Sequence, residues 1–189
     1  MGLFDQFKNN NVNIKEQIQE TNAKLLIEIA RIVTRGSENI MSEIADCISD
    51  TKTYFYRHIE RFQERGINEF DDKSFIQWIS LVDILEKTQY VFECDWKEEK
   101  EGFVYGIQSL FFVELDHLPA EETWFDETED VTMWCMILDD KWRKQGIGIY
   151  AFDIDSDSYV LFPCKTQEFS KLRAYAKQLG FRIDYAKNM

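Results

Sequence analysis

Gly146-Ile147-Gly148-Ile149-Tyr150-Ala151-Phe152-Asp153-Ile154-Asp155-Ser156-Asp157-Ser158-Tyr159-Val160-Leu161-Phe162-Pro163-Cys164 is the stretch on which the fold turns. Ile147, Ile149 and Ala151 would lie on one side of an extended chain and Tyr150, Phe152 and Ile154 on the other, so the strand is apolar on both faces, as in a strand buried from both sides. Asp155-Ser156-Asp157-Ser158 supplies turn residues, and Tyr159 to Cys164 returns as a second strand. Upstream, Asp126 or Thr128 can cap a helix carrying Val131, Trp134, Leu138 and Trp142 and ended by Gly146. Its acids come first (Glu127, Glu129, Asp130) and its bases last (Lys141, Arg143, Lys144), the order the helix dipole favours. Downstream, a helix from about Gln167 to Leu179 buries Phe169, Leu172, Ala176 and Leu179 and stops at Gly180. Phe181, Ile183 and Tyr185 then alternate as a last strand. Residues 131–189 therefore read as a small α/β module, helix–strand–strand–helix–strand, with a mainly antiparallel sheet.

Residues 1–92 read as helical. Asn13 is placed as an N-cap with Glu16 three residues on, and Ile14, Ile18, Leu25, Ile29 and Ile32 recur at helical spacing until Gly36. Ser37 can open a second helix with Ile40, Ile44 and Ile48, and Tyr54–Arg65 forms a third that stops at Gly66. Asp71 or Asp72 opens a fourth with Phe75, Ile79, Val82 and Leu85 on one side. The fold class expected is α+β: a bundle-like helical part followed by the α/β tail, packed as one unit.

Charge is unevenly placed. The 189 residues carry a net charge of −13. Residues 93–130 hold 13 acids against Lys97 and Lys100, whereas 131–189 hold 7 acids and 9 bases. This middle segment also carries Trp96, Phe103, Trp124 and Phe125, so it reads as a folded connecting surface rather than a solvating linker. Residues 103–115 lean to helix, and 117–129, around Pro119, read as an exposed loop. A surplus of this size excludes a clamp built on phosphate neutralisation, so no nucleic acid is expected as partner. No apolar stretch is long enough for a bilayer and no leader pattern opens the chain, so no membrane is expected and the location expected is cytoplasmic. Cys47, Cys94, Cys135 and Cys164 stand alone among apolar neighbours, as buried thiols do, and no cofactor is expected.

Asp153, Asp155 and Asp157 stand at i, i+2 and i+4, the one motif with chemistry in it. An EF-hand-like calcium loop would need Gly at the sixth position and Glu at the twelfth, where Ser158 and Cys164 stand. Two readings are left open: a site for Mg²⁺ or Mn²⁺ at the sheet edge, and a purely structural turn, which the turn chemistry of Asp and Ser favours.

The run Gly146-x-x-Ile149-x-x-Phe152-Asp153-x-x-Ser156-Asp157-Ser158-Tyr159-x-Leu161, with Ala176-x-x-Leu179-Gly180-Phe181-x-Ile183 after it, resembles an uncharacterised bacterial domain family. That family has a D-x-x-S-D-[SA]-Y signature following a buried strand. The resemblance covers about the last 60 residues. It implies a small bacterial cytoplasmic protein and assigns no activity.

Two functions follow from these readings. The leading one is a non-enzymatic protein-binding module, analogous to small acidic immunity proteins, that meets a basic protein partner through Trp96, Phe103, Trp124, Phe125, Glu121 and Glu122. The alternative is a divalent-metal-dependent hydrolase or nucleotide-handling enzyme using Asp153, Asp155 and Asp157.

Overall fold

A computed structural model describes the backbone of residues 3–189 and the side chains of residues 17–189. The helical half contains α1 (Leu3–Thr34), α2 (Glu38–Ser49), α3 (Thr51–Arg57), α4 (Ile59–Glu64) and α5 (Lys73–Lys87). Asn13 falls inside α1 rather than at its start, and its side chain lies outside the described residues. The third expected helix is two, broken at His58. Asp72 caps α5 by accepting the Ser74 N–H at 2.7 Å.

The second half contains β1 (Phe92–Asp95), α6 (Lys100–Ser109), α7 (Phe111–Leu115), α8 (Val131–Trp142), β2 (Ile147–Phe152), β3 (Ser158–Lys165), α9 (Phe169–Leu179) and β4 (Ile183–Tyr185). The fold is α+β, with a four-stranded antiparallel sheet in the order β1-β3-β2-β4. β1 was not expected, and a boundary between residues 92 and 93 would cut it.

The sheet lies between two helical layers. Tyr150, Phe152, Val160, Phe162 and Ile183 face a core that includes Leu26, Ile29, Ile44, Trp78, Ile79 and Leu172. Ile147, Ile149, Ala151, Leu161 and Cys94 face a second core with Phe103, Ile107, Trp134, Cys135 and Leu138. This is why β2 has no polar face: helices cover it on both sides. The N-terminal helices and the tail thus share the first core.

Pro163 can stand in β3 for a reason of register. Tyr150 and Phe162 are opposed, as are Ile149 and Pro163. The Ile149 N–H is accepted by Asp139 Oδ1 at 2.9 Å on the far side from β3. In an antiparallel ladder the N position of residue 163 then points toward β1. β1 begins only at Phe92, opposite Leu161, so no ladder bond is lost at Pro163.

Gly106 on α6 sets the approach of that helix to β1, because a Cβ there would overlap the Phe92 ring. Gly106→Ala is expected to destabilise by about 1–3 kcal/mol through overpacking. Denaturant unfolding checks this, and Phe92→Ala in the same chain should recover part of the loss, since the two positions touch.

Candidate functional site

Three buried tryptophans organise the loops on which the site stands. Trp134 Nε1 donates to the Asp126 carbonyl at 2.9 Å, and Trp142 Nε1 donates to the Pro119 carbonyl at 2.8 Å. Gln108 adds a bond to the Ala120 carbonyl at 2.7 Å. Segment 117–129 is the mostly exposed loop that its composition indicates, tied to the core through buried Leu118, Ala120 and Phe125. Trp78 does the same for the β2–β3 turn, donating to the Asp153 carbonyl at 2.8 Å. Indole N–H groups seldom stay unpaired when buried, so each of these rings both fills core volume and fixes a loop.

Above the Trp134 loop lies an open groove of about 600 Å³. Glu98 and Glu99 border it from the β1–α6 connection, Glu101 from the first turn of α6, and Glu127, Glu129 and Asp130 from the approach to α8. Trp96 stands at its edge, 51% exposed. Lys100 crosses the groove, 3.4 Å from Glu122 and 3.1 Å from Glu127. Its ammonium is held above the ordinary lysine range, first by the hydrogen bond to Glu127. Asp130 caps α8, and the Thr132 hydroxyl and Met133 N–H hold its carboxyl below the usual range. The Thr128 N–H and hydroxyl do the same for Asp126.

The residues expected at a binding surface divide. Trp96 is exposed at the groove edge; Glu121 and Glu122 are exposed outside its lining, and Glu122 pairs with Lys100 of the groove. Trp124 is half-buried with the Lys141 ammonium 4.4 Å from its ring centre. Phe103 and Phe125 are corrections. They are 0% and 5% exposed and pack against each other at 5.5 Å, with Phe103 5.1 Å from Trp134. They belong to the second core and present nothing to a partner. Nor do all the segment's acids gather here: Glu93 bonds Arg65 at 2.7 Å and Asp116 pairs with Arg35. Burying apolar rings under a carboxylate rim concentrates negative potential on one face.

On the other side of Trp96 is a second groove of about 490 Å³, lined by Asp153, Ser156, Asp157, Tyr159 and Arg182 among others. The sequence motif therefore lies on a cleft, and Trp96 borders both clefts. Its carboxylates do not act together. Asp153 Oδ1 accepts the Asp155 N–H at 3.0 Å, and Asp155 takes a positive φ of 57°, so the chain turns instead of running extended. Ser156 Oγ accepts the Ser158 N–H at 3.1 Å. Among the described residues no three His, Cys, Asp or Glu side chains converge as metal ligands, Asp153, Asp155 and Asp157 included. The cause is the turn, which splays side chains that a strand would align.

All four cysteines are free and buried. Burial pushes the thiols of Cys47 up to about 11 and of Cys94 and Cys164 up to about 12, which removes the thiolate a nucleophile needs. No helix among the described residues is long and apolar enough to cross a membrane.

An α+β sandwich of helices around a four-stranded antiparallel sheet, bearing an acidic cleft and a turn cleft on either side of one tryptophan, is the class this geometry defines. A model of the family described as domain of unknown function (DUF6630) matches residues 25–186, and the chain belongs to that family. The match spans the helices and the sheet together, well beyond the last 60 residues. No curated protein and no solved structure matches the chain.

Proposed function

We propose that this chain is a non-enzymatic binding module, of the kind immunity proteins represent, that docks a basic protein partner on its acidic face in the cytoplasm. One observation carries the reading: six carboxylates border a single groove beside a half-exposed Trp96, with Lys97 and Lys100 as the only bases among them. Lys97 Nζ lies 4.6 Å from the Trp96 ring centre, so the ring already receives a cation from its own chain. A partner's lysine or arginine would compete for the same face. Such a field speeds encounter and selects for sign more than it adds affinity. The four buried, unreactive thiols suit a reducing compartment.

Affinity capture with the full chain as bait, followed by stopped-flow mixing with the captured partner, tests this reading. The partner should be basic, and its association rate should fall steeply with ionic strength. Glu99→Lys with Glu101→Lys should slow association about tenfold or more, while Asp46→Lys with Glu60→Lys, two exposed sites away from the groove, should leave it nearly unchanged. An acidic partner, or a rate indifferent to salt and to both pairs of changes, overturns the proposal.

A further inference from the structure

The second cleft calls for a different ligand from the first. We propose that the β2–β3 turn groove binds a neutral, hydroxyl-rich ring, that is, a saccharide, stacked on Trp96 and hydrogen-bonded by Asp153, Asp157 and Arg182.

The groove is built before any ligand arrives. Trp78 holds the Asp153 carbonyl from below at 2.8 Å and stacks on Phe181 with ring centres 4.6 Å apart. The Asp153 N–H bonds the Arg182 carbonyl at 3.0 Å, so one buried indole positions the backbone of both charged walls. Asp153 Oδ1 is committed to the turn, which leaves Oδ2 facing Arg182 Nη1 at 4.0 Å. That gap is too wide for a direct hydrogen bond and wide enough for an oxygen that bonds both. Arg182 is itself held by Nη2 donating to the Asn188 carbonyl at 2.6 Å. Asp157 and the Trp96 ring are exposed on the same cleft. Preorganisation of this kind removes ordering cost at binding.

The chemistry of the walls disfavours anions, metal ions and apolar ligands in turn. A phosphate or carboxylate would meet Asp153 and Asp157, with the guanidinium already facing one of them. A metal ion finds no converging ligand set. An apolar ligand would strip water from two carboxylates and a guanidinium without replacing it. A hydroxyl can donate to a carboxylate and accept from a guanidinium, and so can satisfy both walls at once. The C–H face of a sugar ring supplies what the flat Trp96 surface needs. A groove of about 490 Å³ lies within the usual range of ligand sites.

Saturation-transfer NMR on the full chain tests this with glucose, galactose, N-acetylglucosamine and their β-1,4-linked disaccharides at up to tens of millimolar. At least one sugar should show transfer. Trp96→Ala, which removes the stacking face, and Asp157→Asn, which removes one charge-assisted contact, should each weaken it at least about tenfold. Both side chains are exposed, so these variants should fold, which unchanged thermal melting confirms. Trp124→Ala, outside the groove, should bind as the parent does. Transfer from none of these sugars overturns the proposal, as does transfer undiminished when Trp96→Ala and Asp157→Asn are combined. The result is separable from partner docking: Asp157→Asn should leave the basic partner's association rate intact, and Glu99→Lys should leave sugar binding intact.

Discussion

Arg65→Met is expected to destabilise the fold by about 3–5 kcal/mol, the usual cost of removing one partner from a desolvated charge network. The guanidinium donates from Nε to Asp83 at 3.0 Å and from Nη2 to Glu93 at 2.7 Å, and lies 3.5 Å from Glu86. Asp83 is buried on α5, and Glu93 lies on β1. One arginine after α4 thus neutralises carboxylates from the central helix and the edge strand, and its loss leaves them facing one another. Burial pushes the carboxyls of Asp83 and Glu86 above the usual range, with Arg65 opposing the shift. The sign for stability follows directly. Groups with a raised folded pKa stabilise fully below their unfolded pKa and lose that contribution as pH rises through the folded value. Without Arg65 the shifts grow, so the deficit of the variant should shrink as pH is lowered toward the ordinary carboxylate range. Urea unfolding of parent and variant across that range measures it; a deficit that is small, or that widens toward acid, contradicts this account of the network.

Trp78→Ala should cost about 3–5 kcal/mol by leaving a cavity at the centre of the first core. Trp78 is fully buried, lies 5.3 Å from Phe152 across the sheet face and stacks on Phe181. Trp78→Phe separates packing from hydrogen bonding. It keeps an aromatic ring but leaves the Asp153 carbonyl without its indole donor, a loss of about 1–3 kcal/mol. In that variant, hydrogen exchange should rise around residues 153–158 more than in the acidic 117–129 segment, which other indoles hold. Equal loosening of both loops would show that Trp78 acts by packing alone.

The legible parts of this molecule were those with a long period. Ile147–Phe152 has six residues without a polar face, and α5, α8 and α9 each repeat apolar residues over three turns or more. β1 escaped because its alternation is only four residues long. Phe92 and Cys94 point to the second core while Glu93 and Asp95 point away, and the acids merge into the charged block that follows. The acidic face was legible as a sum and not as a geometry. Glu93 and Asp116 are drawn off by Arg65 and Arg35, residues distant in sequence that no local pattern connects to them. Phe103 and Phe125 share the composition of Trp96, but composition does not say which way a ring points. The residues of the turn groove were named by the motif, but Arg182 was not, since it joins Asp153 only through pairing of β2 with β4. Asp155 was read as part of an extended face because a left-handed residue other than glycine leaves little trace in sequence.

The order of strands has a consequence for biosynthesis. β1 pairs only with β3, Phe92 opposite Leu161, and the first core is closed by β2, β3 and α9. While a ribosome is still threading the second half through its exit tunnel, the helices already released expose the surface that those strands will cover. Structure built on such distant pairings forms late, so the apolar surface of those helices stays open to solvent until the strands are made.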